Sequence, residues 1–212
     1  MSRAVIVVGG GGHAKVLIEA LRLAGVEILG ITEADPEKHA QVVSGVKLLG
    51  DDSVIANYGA EQILLVNAIG SINLPKDRTA LFDKLKARGY SFATVIHPSA
   101  VIAVDVSLAE GSQVMAGAVI QPGSRVGRNS IVNTRVGVDH DCEVAEHVHL
   151  SPGVTLSGGV HIGSGTHIGA GATVIQGVTI GSNCLVAAGA VVVGDIPDGV
   201  TVRGVPAKEV SA

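Results

Sequence analysis

Aromatic side chains are nearly missing from this sequence: no Trp, two Phe and two Tyr in 212 residues. A core built on rings is excluded. Burial falls instead to Val, Ile, Leu and Ala repeated many times, since hydrophobic residues still make up 47% of the chain. Cysteine is equally scarce, and Cys142 and Cys184 stand far apart with no CxxC pair, which argues against a zinc ribbon or a disulfide framework. Charged residues are only 16%, with a net charge of −4 and no basic run, so there is no electrostatic footprint for nucleic acid. No apolar run reaches the roughly 18 residues of a membrane span. The N-terminus lacks the basic-then-apolar layout of a signal peptide, so a cytoplasmic location is expected. Glycine is abundant, at 29 residues, without the every-third spacing of collagen. Such a composition points to a turn-rich repeat.

The repeat is in the second half. Stepping by six from Ile102 gives Leu108, Val114, Ile120, Val126, Val132, Val138, Val144, Leu150, Leu156, Ile162, Ile168, Val174, Ile180, Val186 and Val192, with no miss. Four residues after most of them stands a small or β-branched residue, among them Ser112, Ala118, Val136, Cys142, Val148, Val154, Thr166, Ala172, Val178, Cys184 and Ala190. Both cysteines are therefore expected to point inward as packing residues. This pattern resembles the hexapeptide repeat of the left-handed parallel β-helix, in which three blocks make one triangular coil. Neighbouring coils stack about 4.8 Å apart around an aliphatic column.

The first half reads differently. Residues 4–8 (AVIVV) predict a buried parallel strand, GGGGH a tight turn, and the following segment a helix with Val16, Leu17, Ala20, Leu21 and Leu23 as its apolar stripe. Strands are expected over 26–32, 46–50, 62–70 and 90–96, and helices near 52–59 and 76–88. The alternation argues for a small Rossmann-like parallel α/β domain. The predicted division is 1–97 for that domain, 98–195 for the β-helix, with His97-Pro98 at the boundary, and 196–212 for a C-terminal cap. Gly9, Gly11 and Ala14 satisfy GxGxxG/A between strand and helix, with Glu33 where a ribose-binding acid would sit. Three readings stay open: a dinucleotide site, disfavoured because about 95 residues do not hold two mononucleotide-binding halves; a turn whose amides meet a phosphate-bearing ligand; and a purely structural turn.

Among the histidines, His39 falls in a polar loop and reads as solvated, and His97 as a structural residue of the junction. His149, His161 and His167 precede an aliphatic position at the prism corners, where solvent exposure is expected. His140 differs because Asp139 and Asp141 flank it, and neighbouring carboxylates raise an imidazole's basicity. A catalytic base and a surface charge cluster are the two readings of that trio.

Gly9 to His13, His97 to Ala100, Ile131 to Cys142 and Gly204 to Lys208 together resemble the bacterial NeuD/PglD-type sugar acetyltransferases over nearly the whole chain. The resemblance implies acetyl-CoA as cosubstrate, no metal, a homotrimer with active sites between subunits, and transfer to a nucleotide-linked amino sugar or a sialic acid. It implies His140 as general base with Asp141 raising its basicity, and His149 in contact with the acetyl group. Gly158 would present an amide near the thioester oxygen, Ala170 and Ala188 would line the CoA arm, and Arg203 or Lys208 would meet CoA phosphates. Gly11, Gly12, His13, Thr32, Glu33 and Gly70 would hold the nucleotide sugar. At two places the chain departs from the family pattern, with Thr32-Glu33 in place of Asp-Asp and Gly70-Ser71-Ile72 in place of Gly-Asn-Asn. The acid after His140 favours an amine acceptor, and so N-acetylation on the 4-amino group of the sugar, over O-acetylation. Two rivals are a zinc enzyme using His140, His149 and His167, and a non-catalytic protein that only binds nucleotide sugars.

Overall fold

The computed structural model describes residues 3–35 and 43–210. His39 lies outside the described residues. In the first domain β1 (Ala4–Val8), β2 (Ile28–Thr32), β3 (Leu48–Gly50) and β4 (Ile63–Asn67) form a parallel sheet in the order β3-β2-β1-β4. The central strand β1 is apolar at every position because helices cover both of its faces. Val5 and Val7 pack toward α1 (Gly12–Leu23), while Ile6 and Val8 pack toward α2 (Lys76–Ala87), the strand period of two. The buried stripe of α1 is Ala14, Leu17, Ile18, Ala20 and Leu21. Val16 and Leu23, expected in that stripe, are instead 39% and 55% exposed. Seven residues apart, they share a flank of the helix turned away from the sheet.

The strand expected over 90–96 divides between two sheets. Phe92 makes a single parallel bridge to Leu65, whereas β5 (Val95–Ile96) pairs with Gln113–Val114. From β5 onward the chain is a left-handed parallel β-helix in which each two-residue strand pairs with the one 18 residues on. Gln113, Ile131, His149, His167 and Leu185 thus form one continuous column. The stack takes in β5 ahead of position 98 and Thr201–Arg203 beyond 195, and an antiparallel strand at Lys208–Glu209 closes that end. The hexad aliphatics from Val114 to Val192 are buried, as are Cys142 and Cys184. At the corners the chain turns through left-handed conformations, mostly on glycine.

The three faces of the prism differ. One carries an exposed charge ladder, with Arg125 and His161 each approaching Glu143, at 4.0 and 3.7 Å. The second is partly bare and apolar, with Val101 63%, Ile175 40% and Val193 51% exposed. The third carries His149 and His167 and lies against the α/β domain. There Met115 joins the α/β core, and Phe82 of α2 meets the His147 ring edge-on at 5.5 Å. A buried polar seam completes the junction. Arg78 of α2, 1% exposed, donates to the carbonyls of Asn67, Ile69 and Asn129, and Gln113 Nε2 donates to the Asn67 carbonyl.

Candidate active site

The candidate residues gather in two separate clusters, one on a corner of the β-helix and one at the C-terminal edge of the α/β sheet. His140 and Asp141 occupy the turn leading from the bare face to the charged face. Asp141 holds φ 57°, at a corner where the stacked positions Gly123, Gly159 and Gly177 are glycine. A left-handed conformation costs a non-glycine residue about 1 kcal/mol or more, and Asp tolerates it through local hydrogen bonding. Its Oδ2 accepts from His140 Nδ1 at 2.9 Å, and Asp139 Oδ1 accepts from the His140 amide at 2.8 Å. The hydrogen bond to Asp141 raises the imidazole pKa above its ordinary value, and the Asp139 charge adds to the effect. With Nδ1 committed as donor, the neutral ring carries its lone pair on Nε2.

That nitrogen hangs over the next coil. A Cβ built on Gly158 would stand 2.5 Å from Nε2, so the place beneath His140 admits glycine alone without displacing the ring. Beside them a cleft of about 200 Å³ runs over the bare face between Gln121, Asp139 and Ser157. Ala170 and Ala188 are exposed and stacked at the other corner of this face, where the Gly189 amide donates to the Ala170 carbonyl. One triangle side, up to about 20 Å at the rise of an extended strand, separates them from His140. Arg203 and Lys208 are paired neighbours at the end of the stack.

The second cluster is a pocket of about 310 Å³ lined by Gly9 to His13, Glu33, Ala34, Asp52 and Ala68 to Gly70. It brings together Gly11, Gly12, His13, Glu33 and Gly70. The first amides of α1 have no intrahelical carbonyl to reach, and they favour negative charge at this rim. Glu33 Oε2 accepts from the Gly10 amide at 2.9 Å and so braces the turn. His13 contributes no positive charge. Burial, with Arg78 nearby, lowers its pKa to about 4, and its Nε2 lies 2.8 Å from Gln113 Oε1 across the domain junction. Thr32 is fully buried behind the pocket and donates its hydroxyl to Asp52 Oδ1 at 2.6 Å. Asp52 thus takes the lining place expected of Thr32, and its signal was the acidic pair Asp51-Asp52 straight after β3.

His149 and His167 correct the expectation of solvent-facing corners: they are 6% and 4% exposed. The strand-end loop after β4 covers them, with Ser71 Oγ 2.8 Å from His149 Nδ1 and 3.4 Å from His167 Nδ1. His161, on the charged face, is exposed as expected. His140 stands on a different corner, so within one chain it does not share a ligand set with the stacked pair. His97 holds the Ser99 turn through Nδ1, a structural role. Both cysteine thiols point inward, and burial raises the pKa of Cys142.

Comparison with known proteins follows the same division. Residues 4–85 match the PglD N-terminal domain, and residues 159–194 match the bacterial transferase hexapeptide (six repeats). A histidine-to-asparagine mutant of perosamine N-acetyltransferase from Caulobacter crescentus, in complex with CoA and GDP-perosamine, is 42% identical. It superposes with a TM-score of 0.92, covering 100% of this chain and 99% of that one. The acetyltransferase domain of PglB from Neisseria gonorrhoeae is 38% identical with a TM-score of 0.91, covering 99% and 100%, and a second structure of it holds acetyl coenzyme A. WeeI from Acinetobacter baumannii is 25% identical with a TM-score of 0.81, covering 99% and 100%. With a glycine-turn α/β domain fused to a left-handed β-helix and these relatives along its full length, the chain belongs to the NeuD/PglD-type family of sugar acetyltransferases.

Proposed function

We propose that this enzyme transfers the acetyl group of acetyl-CoA to the 4-amino group of a nucleotide-linked amino sugar, in the cytoplasm, for a surface glycan or glycoprotein. The observation that carries the chemistry is the His140–Asp141 pair, with Nε2 open above Gly158. The sugar amine attacks the thioester carbonyl, a C–N bond forms, and His140 Nε2 takes the amine proton. The C–S bond then breaks and CoA leaves as thiolate, to be protonated in turn. The Gly158 amide steadies the oxyanion between these steps. No covalent enzyme intermediate is required, in keeping with two inward thiols.

The sugar nucleotide enters the glycine-turn pocket, its phosphates at the start of α1. The CoA arm follows the Ala170–Ala188 corner, where small side chains leave a narrow groove. A homotrimer joins these parts: His140 and the alanine corner lie at opposite edges of the bare apolar face, so packing that face against a neighbour brings one chain's base to the other's groove. The test is thiol release from acetyl-CoA across UDP-, GDP- and dTDP-linked 4-amino sugars and sialic acids. His140→Ala should lose about 10²- to 10⁴-fold in rate on the amino sugar, and a loss below tenfold refutes the base. Activity on sialic acid alone would make the enzyme an O-acetyltransferase, and silence with every acceptor would favour a binding protein.

A further inference from the structure

At the prism corner opposite the bare face, a cleft of about 430 Å³ lies between α2 and the β-helix, with His147 in its wall. His147 is 6% exposed and holds φ 59°, at a stacked place where neighbouring coils carry Asn129, Gly165 and Asn183. A chain of side-chain amides fixes its tautomer. Asn67 Oδ1 accepts from the Ile69 amide at 3.2 Å, so Asn67 Nδ2 is the donor to Asn129 Oδ1, at 3.1 Å. Asn129 Nδ2 then faces His147 Nδ1 at 2.9 Å, and Nδ1 must accept. The proton is left on Nε2, at the opposite edge of the ring. Burial lowers the pKa of His147 against the pull of Asp83 and Glu146, so the neutral ring prevails at pH 7. Among the described residues none accepts from Nε2, although Asp83 lies in the same cleft. A nearly buried donor without an acceptor costs free energy that a ligand recovers.

The rest of the cleft says what that ligand carries. Pro75 and Ala80 give it an apolar wall, Thr79 and Ser164 hydroxyls, and Lys76 and Asp83 opposite charges. Such a lining suits an uncharged ring with polar substituents rather than an ion. We propose that this cleft is a second sugar site, taking an acetamido sugar whose carbonyl oxygen accepts from His147 Nε2. A carbonyl is an acceptor only, and the methyl group beside it packs on the apolar wall. A free sugar amine at neutral pH is an ammonium, which an N–H donor repels. The cleft thus accepts the acetylated product class and rejects the amine substrate, a choice of ligand that rests on the sugar-acetyltransferase reading. The trimer proposed above packs on the bare face and leaves this corner open, while the amide chain joins it to Ile69 of the glycine-turn pocket.

The test is a titration of the full-length protein with N-acetylglucosamine, glucosamine and glucose, followed by long-range ¹H–¹⁵N correlation spectra of the imidazoles. His147→Asn supplies the assignment, and asparagine already fills the same corner place at Asn129 and Asn183. Before addition, Nε2 should be protonated and Nδ1 bare; the reverse tautomer overturns the proposal. N-acetylglucosamine should shift the Nε2 proton, with glucosamine and glucose binding about tenfold more weakly, the worth of one hydrogen bond. No shift at His147, or equal shifts from all three sugars, overturns it. Ala80→Leu fills the cleft and should raise the dissociation constant about tenfold or more with acetyl transfer unchanged; an undiminished shift places the sugar elsewhere and also overturns it. If that variant does not fold, the native spectra decide. The titration uses neither acetyl-CoA nor nucleotide, so failure of acetyl transfer on every acceptor would count against the proposed function, while the cleft is judged on these spectra alone.

Discussion

Gly158→Ala separates catalysis from folding at a single methyl group. The new Cβ would lie 2.5 Å from His140 Nε2, 2.6 Å from Cε1 and 3.1 Å from Cδ2. Ordinary contact is about 3.5 Å, so the ring must retreat by about 1 Å. His140 is exposed, with a side-chain accessibility of 55%, and it can swing outward without disturbing the core. Gly158 does not hold a left-handed φ, so alanine adds no backbone strain there. The expected fall in melting temperature is therefore under about 2 °C, the scale of a surface change. The retreat drags Nδ1 from the Asp141 carboxylate and Nε2 from the reacting amine, and a displacement of about 1 Å costs about 10²-fold in rate. Thiol release from acetyl-CoA at saturating amino sugar measures it. Gly25→Ala is the matched control: Gly25 has φ 69° and nothing within 4 Å of its Cβ position, so alanine there should cost about 1 kcal/mol of stability and no activity. Activity of Gly158→Ala within threefold of the parent would refute this account of His140, and so would unfolding worse than that of Gly25→Ala.

Three more expectations concern charge. Because Asp141 raises the His140 pKa, the acid limb of the kcat/KM profile should lie above pH 6.5, and Asp141→Asn should move it to lower pH; an unmoved limb would assign it to another group. Buried His149, with a pKa of about 3 against 6.5 when unfolded, contributes stability fully present above pH 6.5 and lost as pH falls toward 3. The loss amounts to about 5 kcal/mol at full protonation, and melting of His149→Asn alongside the parent between pH 7 and 4 should show a flatter decline in the variant. Arg78→Leu strands the carbonyls of Ile69 and Asn129, while the Asn67 carbonyl keeps its bond from Gln113, and should cost about 2 kcal/mol or more in urea unfolding, with a cost under about 1 kcal/mol counting against the seam.

Legibility in the sequence followed the range of the interactions. The β-helix was readable in full because its contacts repeat at a fixed spacing, and one residue class fills each inward place from Val114 to Val192. The closeness of Asp141 to His140 followed from adjacency, whereas Gly158 was named only through the family resemblance, and its place one coil below His140 emerged from the structure. The histidine burial was not readable. His149 and His167 sit at nominally outward positions, and only the α/β domain's loop, nearly 80 residues upstream of His149, covers them. Gln113, Asn67 and Arg78 escaped notice likewise, since each has a partner across the junction: Gln113 donates to the Asn67 carbonyl, and Asn67 and Arg78 both donate to Asn129. Val16 and Leu23 were misplaced because hydrophobicity alone does not say which side of α1 faces the sheet. Thr32 misled through its place next to Glu33, although Asp52 carried the same information from a later strand.

The coil-on-coil stacking makes the second domain a ruler. Removing 18 residues would leave every aliphatic contact of the remaining coils in register, yet shorten the prism by about 4.8 Å. Thermodynamic fitness and geometric calibration are thus separable in this architecture. On the proposed CoA path, coil number is constrained by more than the stability each coil adds, because the length of the acyl carrier would have to match the distance between the terminal hairpin and the His140 corner.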